Sequence, residues 1–434
     1  MAGGVWTTQN KVRPGAYVNV QGNGKVGTSE TVSGVVTMPL PLKFGPEAQV
    51  VEVTATTDLT PFGYDLSSED LLPLREAFKK ASQVLLYRVG TGAKATKTEG
   101  TLTVTALYGG SRGNAISVII TANPNIVGAF NVVTYLDGVS VDVQTAKNIS
   151  DLQANRLVSF EGTGALVAAS LALEAGTDVA PVANDYAKYF EAIQVYEFNT
   201  MALPVEDDAI KATGASFIKR LREEEGVKAQ LVVANYDADH EAVINVSNGV
   251  ILADGTKLSA AQCTAWVAGA SAAAGVAGSL TYATYDNAVD ANPRLTNTDT
   301  IEALQAGKFV FTEKRGTAVV EQDINSLHSF TVTKGSDFRK NRVLRVLDDI
   351  ANSSKKTFED NYIGKVSNNA DGRELFKADR IIYFDTLVAQ EAIDTFSPDD
   401  INVSAGTEKD SVYLEVAVQP IDAMEKLYML VVVK

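Results

Sequence analysis

The 434-residue sequence predicts a multidomain α+β protein: an α/β domain split by an inserted β-sandwich, then a carboxyl-terminal α/β domain ending in extended strand arms. Three observations predict it. Helical and strand-like segments alternate from Thr31 to Val89 and again from about Pro181 to Thr312; a Val-, Ile- and Thr-rich stretch with almost no helical spacing lies between them; and from Val412 onward the apolar residues alternate or run without a break. These shifts divide the chain into an amino-terminal arm at 1–24, two parts of the α/β domain at 25–95 and 179–330, the insert at 96–178 and the carboxyl-terminal domain at 331–434. A prior of roughly one domain per 150 residues agrees with about three units.

The opening residues carry few large apolar groups besides Trp6, Val12, Tyr17, Val18 and Val20, which suits an arm. Strands are expected at Thr31 to Met38, Gln49 to Thr54 and Val84 to Val89. A helix is expected over Ser68 to Ala81, where Leu71, Leu74 and Phe78 share a face behind a Ser cap and the acids Glu69 and Asp70. In the insert, Thr101 to Ala106, Ala115 to Thr121 and Phe130 to Tyr135 read as strands, and Asp137-Gly138 reads as the two-residue turn leading into Val139 to Val143. One short helical stretch fits near Ser150 to Ala154.

The alternation then resumes. Asn184 to Tyr196 and Asp207 to Glu225 have helical spacing, Thr200 to Val205 is extended, and Ala229 to Ala234 is an apolar run fit for a buried parallel strand. Ser259 to Gly275 is a helix rich in Ala and Gly, whose small residues let another backbone come close. Thr298 to Ala306 is a shorter helix before a strand at Lys308 to Thr312. A long helix at Asp337 to Asp360 carries Arg339, Lys340, Arg342 and Arg345, with Val343, Leu344, Val346, Leu347 and Ile350 on its core side. Asp371 to Ile393 holds a second helix, or a helix and a strand. After Ser397-Pro398 the chain is extended. Val412, Leu414, Val416 and Val418 alternate with Tyr413, Glu415 and Ala417, and Leu427 to Val433, including Met429 and Val431, is apolar on both faces, so a cover is expected from elsewhere.

Composition excludes several functions. Apolar residues at 45% and charged residues at 21% are ordinary for folded domains. A net charge of -15 repels phosphate backbones, so nucleic acid is not the main partner. One cysteine, Cys263, forms no internal disulfide, and two histidines, His240 and His328, cannot build a histidine-rich metal site. Ala265 to Leu280, the longest weakly polar stretch, falls short of the ~20 apolar residues of a bilayer span, and Met1 to Asn10 does not read as a signal peptide, so synthesis in the cytosol is expected.

No catalytic constellation survives scrutiny. Gly22, Gly24 and Gly27 spell G-x-G-x-x-G, but Thr and Val follow them where a dinucleotide site needs a helix. A serine hydrolase would need His240, beside Asp239 and Glu241, or His328 as its base, and no G-x-S-x-G elbow accompanies either. Cys263 sits beside Trp266 and Val267 with no cation to form a thiolate, and reads as a buried inert thiol. Glu223-Glu224-Glu225 and Asp399-Asp400 lack the spacing of a calcium loop. No cofactor is expected.

The two ends differ in charge. Through Ser29 the chain holds Lys11, Arg13 and Lys25 and no acid, whereas Glu391 to Lys434 holds nine acids against three lysines. Two strand-like tails of opposite charge, each without a cover, suit strand exchange between neighbouring copies, with Tyr17, Val18 and Val20 at one end and Val412, Leu414, Val416, Val418, Leu427, Met429, Val431 and Val433 at the other. Unlike donor and acceptor surfaces make the contact head-to-tail, which builds rings or helices.

The sequence resembles the contractile tail sheath proteins of phages, prophage elements and R-type bacteriocins. The resemblance rests on Arg13 to Val18, Asn292 to Thr298, Ala306 to Phe311, Val320 to Asn325, Phe338 to Val343, Thr357 to Lys365 and Val418 to Lys426. It implies an arm, a split α/β domain of subtilase-like but non-catalytic fold, an outer β-sandwich and a carboxyl-terminal domain that interlocks with neighbouring arms. It also implies a subunit that polymerises helically with copies of itself around an inner tail tube protein, beside baseplate and tail terminator proteins, and contracts to drive the tube through a target envelope. Such a subunit is found in the bacterial cytoplasm during assembly and then in a virion tail or a released particle. Arg339, Lys340, Arg342 and Arg345 are then expected to face an acidic surface of the tube. The alternative function is an intracellular serine hydrolase using His240.

Overall fold

The computed structural model describes residues 34–433, together with the main chain of two short parallel-paired strands, Ala2–Gly4 and Gly15–Tyr17. Val18, Val20 and the glycines at 22, 24 and 27 lie outside the described residues, as do the side chains at 15–17.

A seven-stranded sheet organises the molecule. Its order is Lys308–Phe309, Val243–Val246, Gln230–Ala234, Thr200–Ala202, Val35–Leu40, Gln83–Arg88 and Val50–Val53, parallel throughout except for the last pair. Successive side chains of a strand point to opposite faces, so an unbroken apolar run must be covered twice. Val36, Met38, Val84, Leu86 and Val232 face one cluster, and Val35, Leu85, Tyr87, Leu231 and Val233 face the other. Helices α1 (Leu72–Phe78) and, further along the chain, Ala260–Ala273 cover the first face. Helices α2 (Ala183–Ile193) and α3 (Asp208–Glu223) cover the second. In chain order the Ala-rich helix Ala260–Ala273 is α4.

The small residues of α4 do what the sequence suggests. A Cβ on Gly269 would lie 2.6 Å from the Ala77 carbonyl oxygen, so α4 touches the backbone of α1 where any side chain would collide. Ser259 starts α4 with a capping box: its hydroxyl accepts the Gln262 N–H at 3.2 Å, and Gln262 accepts the Ser259 N–H at 2.9 Å. Trp266 stacks on Tyr285 with ring centroids 4.4 Å apart, and its Nε1 donates to Asp286 at 2.8 Å.

Between Gln83–Arg88 and α2 the chain builds two four-stranded antiparallel sheets packed face to face. One orders Val139–Ala146, Phe130–Leu136, Ile116–Ala122 and Ala169–Ala172; the other orders Val158–Glu161, Leu102–Gly109, Thr91–Glu99 and Thr177–Val179. Asp137 and Gly138 have φ of 51° and 77°, the left-handed pair that a type I′ turn requires. The sandwich starts earlier than the composition shift at 96 suggests. Thr91–Glu99 buries one side chain, Ala95, and exposes or half-exposes its Thr and Lys residues, so it carries little apolar signal.

Other elements also depart from the sequence reading. The helix expected from Ser68 starts at Leu72 after a single 3-10 turn, because Pro73 has no N–H and fits only a first helical turn. The strand expected at Lys308 to Thr312 breaks at Val310. The Asn248 side chain bonds both the N–H and the C=O of Phe311 at 2.8 Å, drawing Phe311–Lys314 out of the sheet into a hairpin with Thr317–Val320.

After helix α5 (Asn297–Gln305), the carboxyl-terminal part contains two long helices, α6 (Asn341–Asn361) and α7 (Ala370–Ala389), and a hairpin of Ile401–Ala405 with Val412–Val416. Val346, Ile350, Phe384, Leu387, Ile393 and Ile401 form their shared core. Asp371 to Ile393 thus holds one helix and no strand of its own. The long basic helix begins at Asn341, with a 3-10 turn at Ser336–Arg339 before it. Leu427 to Val433 belongs to no helix or strand.

Candidate functional site

The chain's end is held by a polar hub where its carboxyl-terminal part meets the central sheet domain. Asp323, almost wholly buried, is the centre. Its carboxylate accepts from Leu280 N at 3.0 Å, Arg345 Nη2 at 2.7 Å and Asn341 Nδ2 at 2.9 Å. Arg345 also donates to the Gly278 carbonyl at 2.7 Å, and Asn341 accepts from Gln230 of the sheet at 3.1 Å. Burial of such charges is tolerable because each one is paired and hydrogen-bonded.

The hub extends to the tail through Thr281. Its hydroxyl accepts the Asp323 N–H at 3.0 Å and donates to Glu425 at 2.8 Å. Glu425 also accepts from Gln322 Nε2 at 2.7 Å and from Lys340 Nζ, which lies 3.3 Å from Asp422 as well. Burial raises the Glu425 pKa, but the hydrogen bonds from Lys340, Gln322 and Thr281 outweigh it and hold the carboxyl below its ordinary value. Glu425 therefore fixes the tail to the body as an anion.

Upstream of that anchor the tail is a sheet edge. Val412–Val416 pairs with Ile401–Ala405, Ala417 N donates to Asp400 O at 2.9 Å, and Gly406 N donates to Ser411 O at 2.9 Å. Antiparallel pairing alternates, so residues 411, 413, 415 and 417 bond inward, and the N–H and C=O groups of Val412, Leu414 and Val416 point to the opposite edge. Farther on, Asp394 N donates to Gln419 O at 2.9 Å and Ile421 N to Ala392 O at 3.0 Å, which keeps Val418 in the same outward register. No strand among the described residues pairs with that edge. Downstream of the anchor, Leu427, Met429, Val431 and Val433 are 86%, 77%, 70% and 92% exposed, and no main-chain hydrogen bond joins this stretch to another described residue.

The structure thus splits the expected interface residues. The side chains of Leu414, Val416 and Val418 pack against the chain's own core, so their open feature is the backbone edge; those of Leu427 to Val433 are uncovered. Tyr17 is described by its main chain only. Two of the four cations expected to face a tube, Lys340 and Arg345, are paired with acids of this chain. Arg345 points into the hub, Lys340 is taken by Glu425 and Asp422, Arg339 is half-buried, and Arg342 donates to the Glu391 carbonyl at 3.2 Å. The physical reason is packing: the start of α6 docks on the sheet domain, so acids of other segments reach Lys340 and Arg345. Asp348, on the same helix, takes Arg222 of α3 in two contacts of 2.6 and 2.7 Å.

The hydrolase constellation does not form. His240 Nδ1 accepts the Ala242 N–H at 3.0 Å, and Nε2 lies 3.6 Å from Glu241 and 3.7 Å from Glu223. The nearby Ser326 hydroxyl donates to the His240 main-chain carbonyl at 3.0 Å, and among the described residues no hydroxyl or thiol bonds the ring. His328 Nδ1 sits 3.2 Å from Asp239. Cys263 is buried, and burial pushes its thiol up to about 12. Among the described residues no group of His, Cys, Asp and Glu could hold a metal, and no helix is long and apolar enough to cross a membrane.

Sequence reasoning missed the hub. Five of its members, Gln322, Asp323, Lys340, Asn341 and Glu425, nevertheless fall in three stretches singled out above, Val320 to Asn325, Phe338 to Val343 and Val418 to Lys426, whereas Thr281 and Arg345 fall outside them. The signal was there, without its geometry.

Comparison with known proteins matches the whole body of the chain. Residues 33–89 match the tail sheath protein Gp18 domain III N-terminal region, 90–178 the phage tail sheath protein beta-sandwich domain, 180–326 the phage tail sheath protein central domain and 333–434 the phage tail sheath C-terminal domain. The phage-like element PBSX protein XkdK of Bacillus subtilis is 38% identical, covering 99% of both chains; the tail sheath protein of Clostridium phage phiCD119 is 32% identical over 52% of this chain and 62% of its own. The crystal structure of a sheath tail protein from Desulfitobacterium hafniense superposes with a TM-score of 0.86 at 47% identity, covering 96% of this chain and 99% of that one. The helical sheath of the anti-feeding prophage in its contracted state shares the fold, with a TM-score of 0.57 at 13% identity over 97% of this chain and 99% of that one. With a relative this similar along its full length and an uncatalytic site built around a tail, the chain belongs to the phage tail sheath protein family, a structural rather than enzymatic one.

Proposed function

We propose that the chain polymerises helically around an inner tail tube, in contact with baseplate and tail terminator proteins, and contracts to drive the tube through a target envelope. The observation that carries this is one tail in three states: anchored at Glu425, open as a strand edge from Val412 to Val418, and uncovered from Leu427 to Val433. An uncovered apolar segment and an unpaired edge on the same chain are donor and acceptor for pairing between copies. Because the two surfaces differ, repetition propagates instead of closing on a dimer. The amino-terminal arm is the second connector in this reading, and its basic balance suits the acidic tail. Arg342 is the cation of α6 best placed to meet the tube, since Lys340 and Arg345 are committed within the chain. The division into an arm at 1–24, a split subtilase-like domain, an inserted sandwich and a carboxyl-terminal domain from 331 is supported by the separate cores of the sheet domain, sandwich and helix pair, with the sandwich beginning at Thr91. The particle assembles in the bacterial cytoplasm.

The test is electron microscopy of the chain expressed alone and with its tube protein. Extended sheaths that require the tube, and contracted or ring-like polymers without it, are expected. A chain that stays monomeric in both preparations at high concentration overturns the reading.

A further inference from the structure

We propose that Arg380 is a positioning residue of the sheath subunit: it fixes the register of α7 on α6, and with it the place of the Val412–Val418 edge. Arg380 is 0% exposed, yet among the described residues its hydrogen bonds go to hydroxyls alone, Ser353 Oγ at 3.3 Å, Ser354 Oγ at 3.5 Å and Thr357 Oγ1 at 3.0 Å, all on α6. Its Nε has no partner among them. The acids of the same interface accept from tyrosines, Asp349 from Tyr383 at 2.5 Å and Asp379 from Tyr362 at 3.4 Å. Burial holds the Arg380 pKa below its ordinary value against the pull of Asp379. A guanidinium taken out of water and bonded to neutral hydroxyls gains less than one bonded to an anion, so stability gives little reason for its presence.

These contacts form a ladder. Asp349, Ser353 and Thr357 are spaced by four along one stripe of α6; Tyr383 meets the first and Arg380 the other two, with Tyr362 and Asp379 as the next rung. A slip of α7 by one turn, about 5.4 Å, breaks these rungs together. The flanking apolar set, Val346 and Ile350 with Phe384 and Leu387, is non-directional and exchanges one neighbour for another. Directional bonds thus select the register that apolar packing leaves open. The register reaches the edge directly. On one side α6 is fixed to the sheet domain through Arg345, Asp348 and Asn352, the last exchanging two bonds of 2.9 Å with the main chain of Lys228. On the other side α7 carries the hairpin: Ile401 shares a core with Phe384 and Leu387, and the Ala392 carbonyl just beyond α7 accepts the Ile421 N–H at 3.0 Å. A displaced α7 therefore displaces the edge relative to the sheet domain in every copy. The consequence for assembly rests on the strand-exchange reading above; the register does not.

The test uses the full-length chain with spin labels at Ser216→Cys on α3 and Asp385→Cys on α7, both exposed positions, while Cys263 stays buried and unlabelled. The distance between the labels is measured in the parent, Arg380→Met and Arg380→Lys, beside thermal melting and sedimentation over a concentration series. The parent is expected to give one distance. Arg380→Met is expected to melt within about 2 °C of the parent or above it, to give a broadened distance or one displaced by about 5 Å, and to need roughly tenfold more protein to polymerise. Arg380→Lys still reaches the hydroxyls and is expected to keep the parental distance. An unchanged distance in Arg380→Met overturns the proposal; with a lowered melting temperature it shows a residue that only stabilises. A changed distance with normal polymer formation overturns the link from register to edge. A labelled parent that forms no polymer overturns the strand-exchange reading instead, and the distance still decides the register. If Arg380→Met does not fold, the same chain with Ser353→Ala and Thr357→Val, which removes the hydroxyls left without their partner, carries the same expectations, and its failure to fold overturns the proposal.

Discussion

Two apolar runs of similar composition have opposite fates. Leu231, Val232 and Val233 are 0% exposed in the middle of the central sheet, while Leu427 to Val433 is 70% exposed or more. The first is flanked by strands on both sides and by helices on both faces, so its burial is complete within one chain. The second leaves the anchor at Glu425 and meets no cover among the described residues. The difference teaches that an apolar run states a demand for burial and says nothing about who meets it. The same substitution is therefore expected to cost folding in one place and assembly in the other.

The largest contrast comes from a matched pair. Leu231→Ala removes a wholly buried side chain and is expected to cost about 2 to 5 kcal/mol, seen as an earlier urea midpoint. Leu430→Ala is expected to stay within about 0.5 kcal/mol of the parent. Equal losses would erase the distinction between the runs.

A smaller effect sharpens the closed side. Gly269→Ala places a methyl group 2.6 Å from the Ala77 carbonyl, a backbone atom that cannot rotate away. Overpacking of this kind costs about 1 to 3 kcal/mol, so a melting temperature lowered by several degrees is expected. Gly255→Ala, where a Cβ meets nothing within 4 Å but φ is +87°, serves as the control for backbone strain without collision.

The smallest effect is in pH. Burial, with Lys219, Lys334 and Arg222 nearby, holds His240 below its ordinary pKa against the pull of Glu241. Nδ1 already accepts the Ala242 N–H, so a second proton has no free site. The unfolded chain then binds more protons than the native one below an ordinary pKa of about 6.5, and stability falls as pH drops through that window. His240→Asn keeps an acceptor without a titrating ring and should flatten this step in urea melts at pH 7.5 and 5.5. Loss continues at lower pH, because Asp239, held at about 2 by hydrogen bonds from Ser329 and His328 that outweigh its burial, and Glu425 are then protonated. Freeing Glu425 also loosens the tail, so assembly should weaken before the sheet domain unfolds.

Much of the fold was legible because local chemistry and period agree. Asp137-Gly138 demanded a turn that only left-handed residues make, and the Ala and Gly of α4 predicted close approach before any partner was known. The elements that escaped carry weak local signals. Val243–Val246 is too short to show a period, and Thr91–Glu99 owes its place to backbone pairing with Leu102–Gly109. The hub escaped for another reason. Thr281, Asp323, Asn341 and Glu425 are polar residues far apart in sequence, with no periodicity to betray them, and they become a site only when α6 docks on the sheet domain. The pairing of Lys340 and Arg345 was hidden for the same cause: a charge pattern along one segment does not show which acids other segments bring to it.

The central claim is that the segment beyond Glu425 serves other copies and not its own fold. Removing residues 427–434 and comparing the truncated chain with the parent by sedimentation velocity and thermal melting, side by side, tests it most directly. The account predicts a melting temperature within about 2 °C of the parent and no polymer at any concentration where the parent assembles. A truncated chain that still forms sheaths, or one that melts well below the parent, would contradict it.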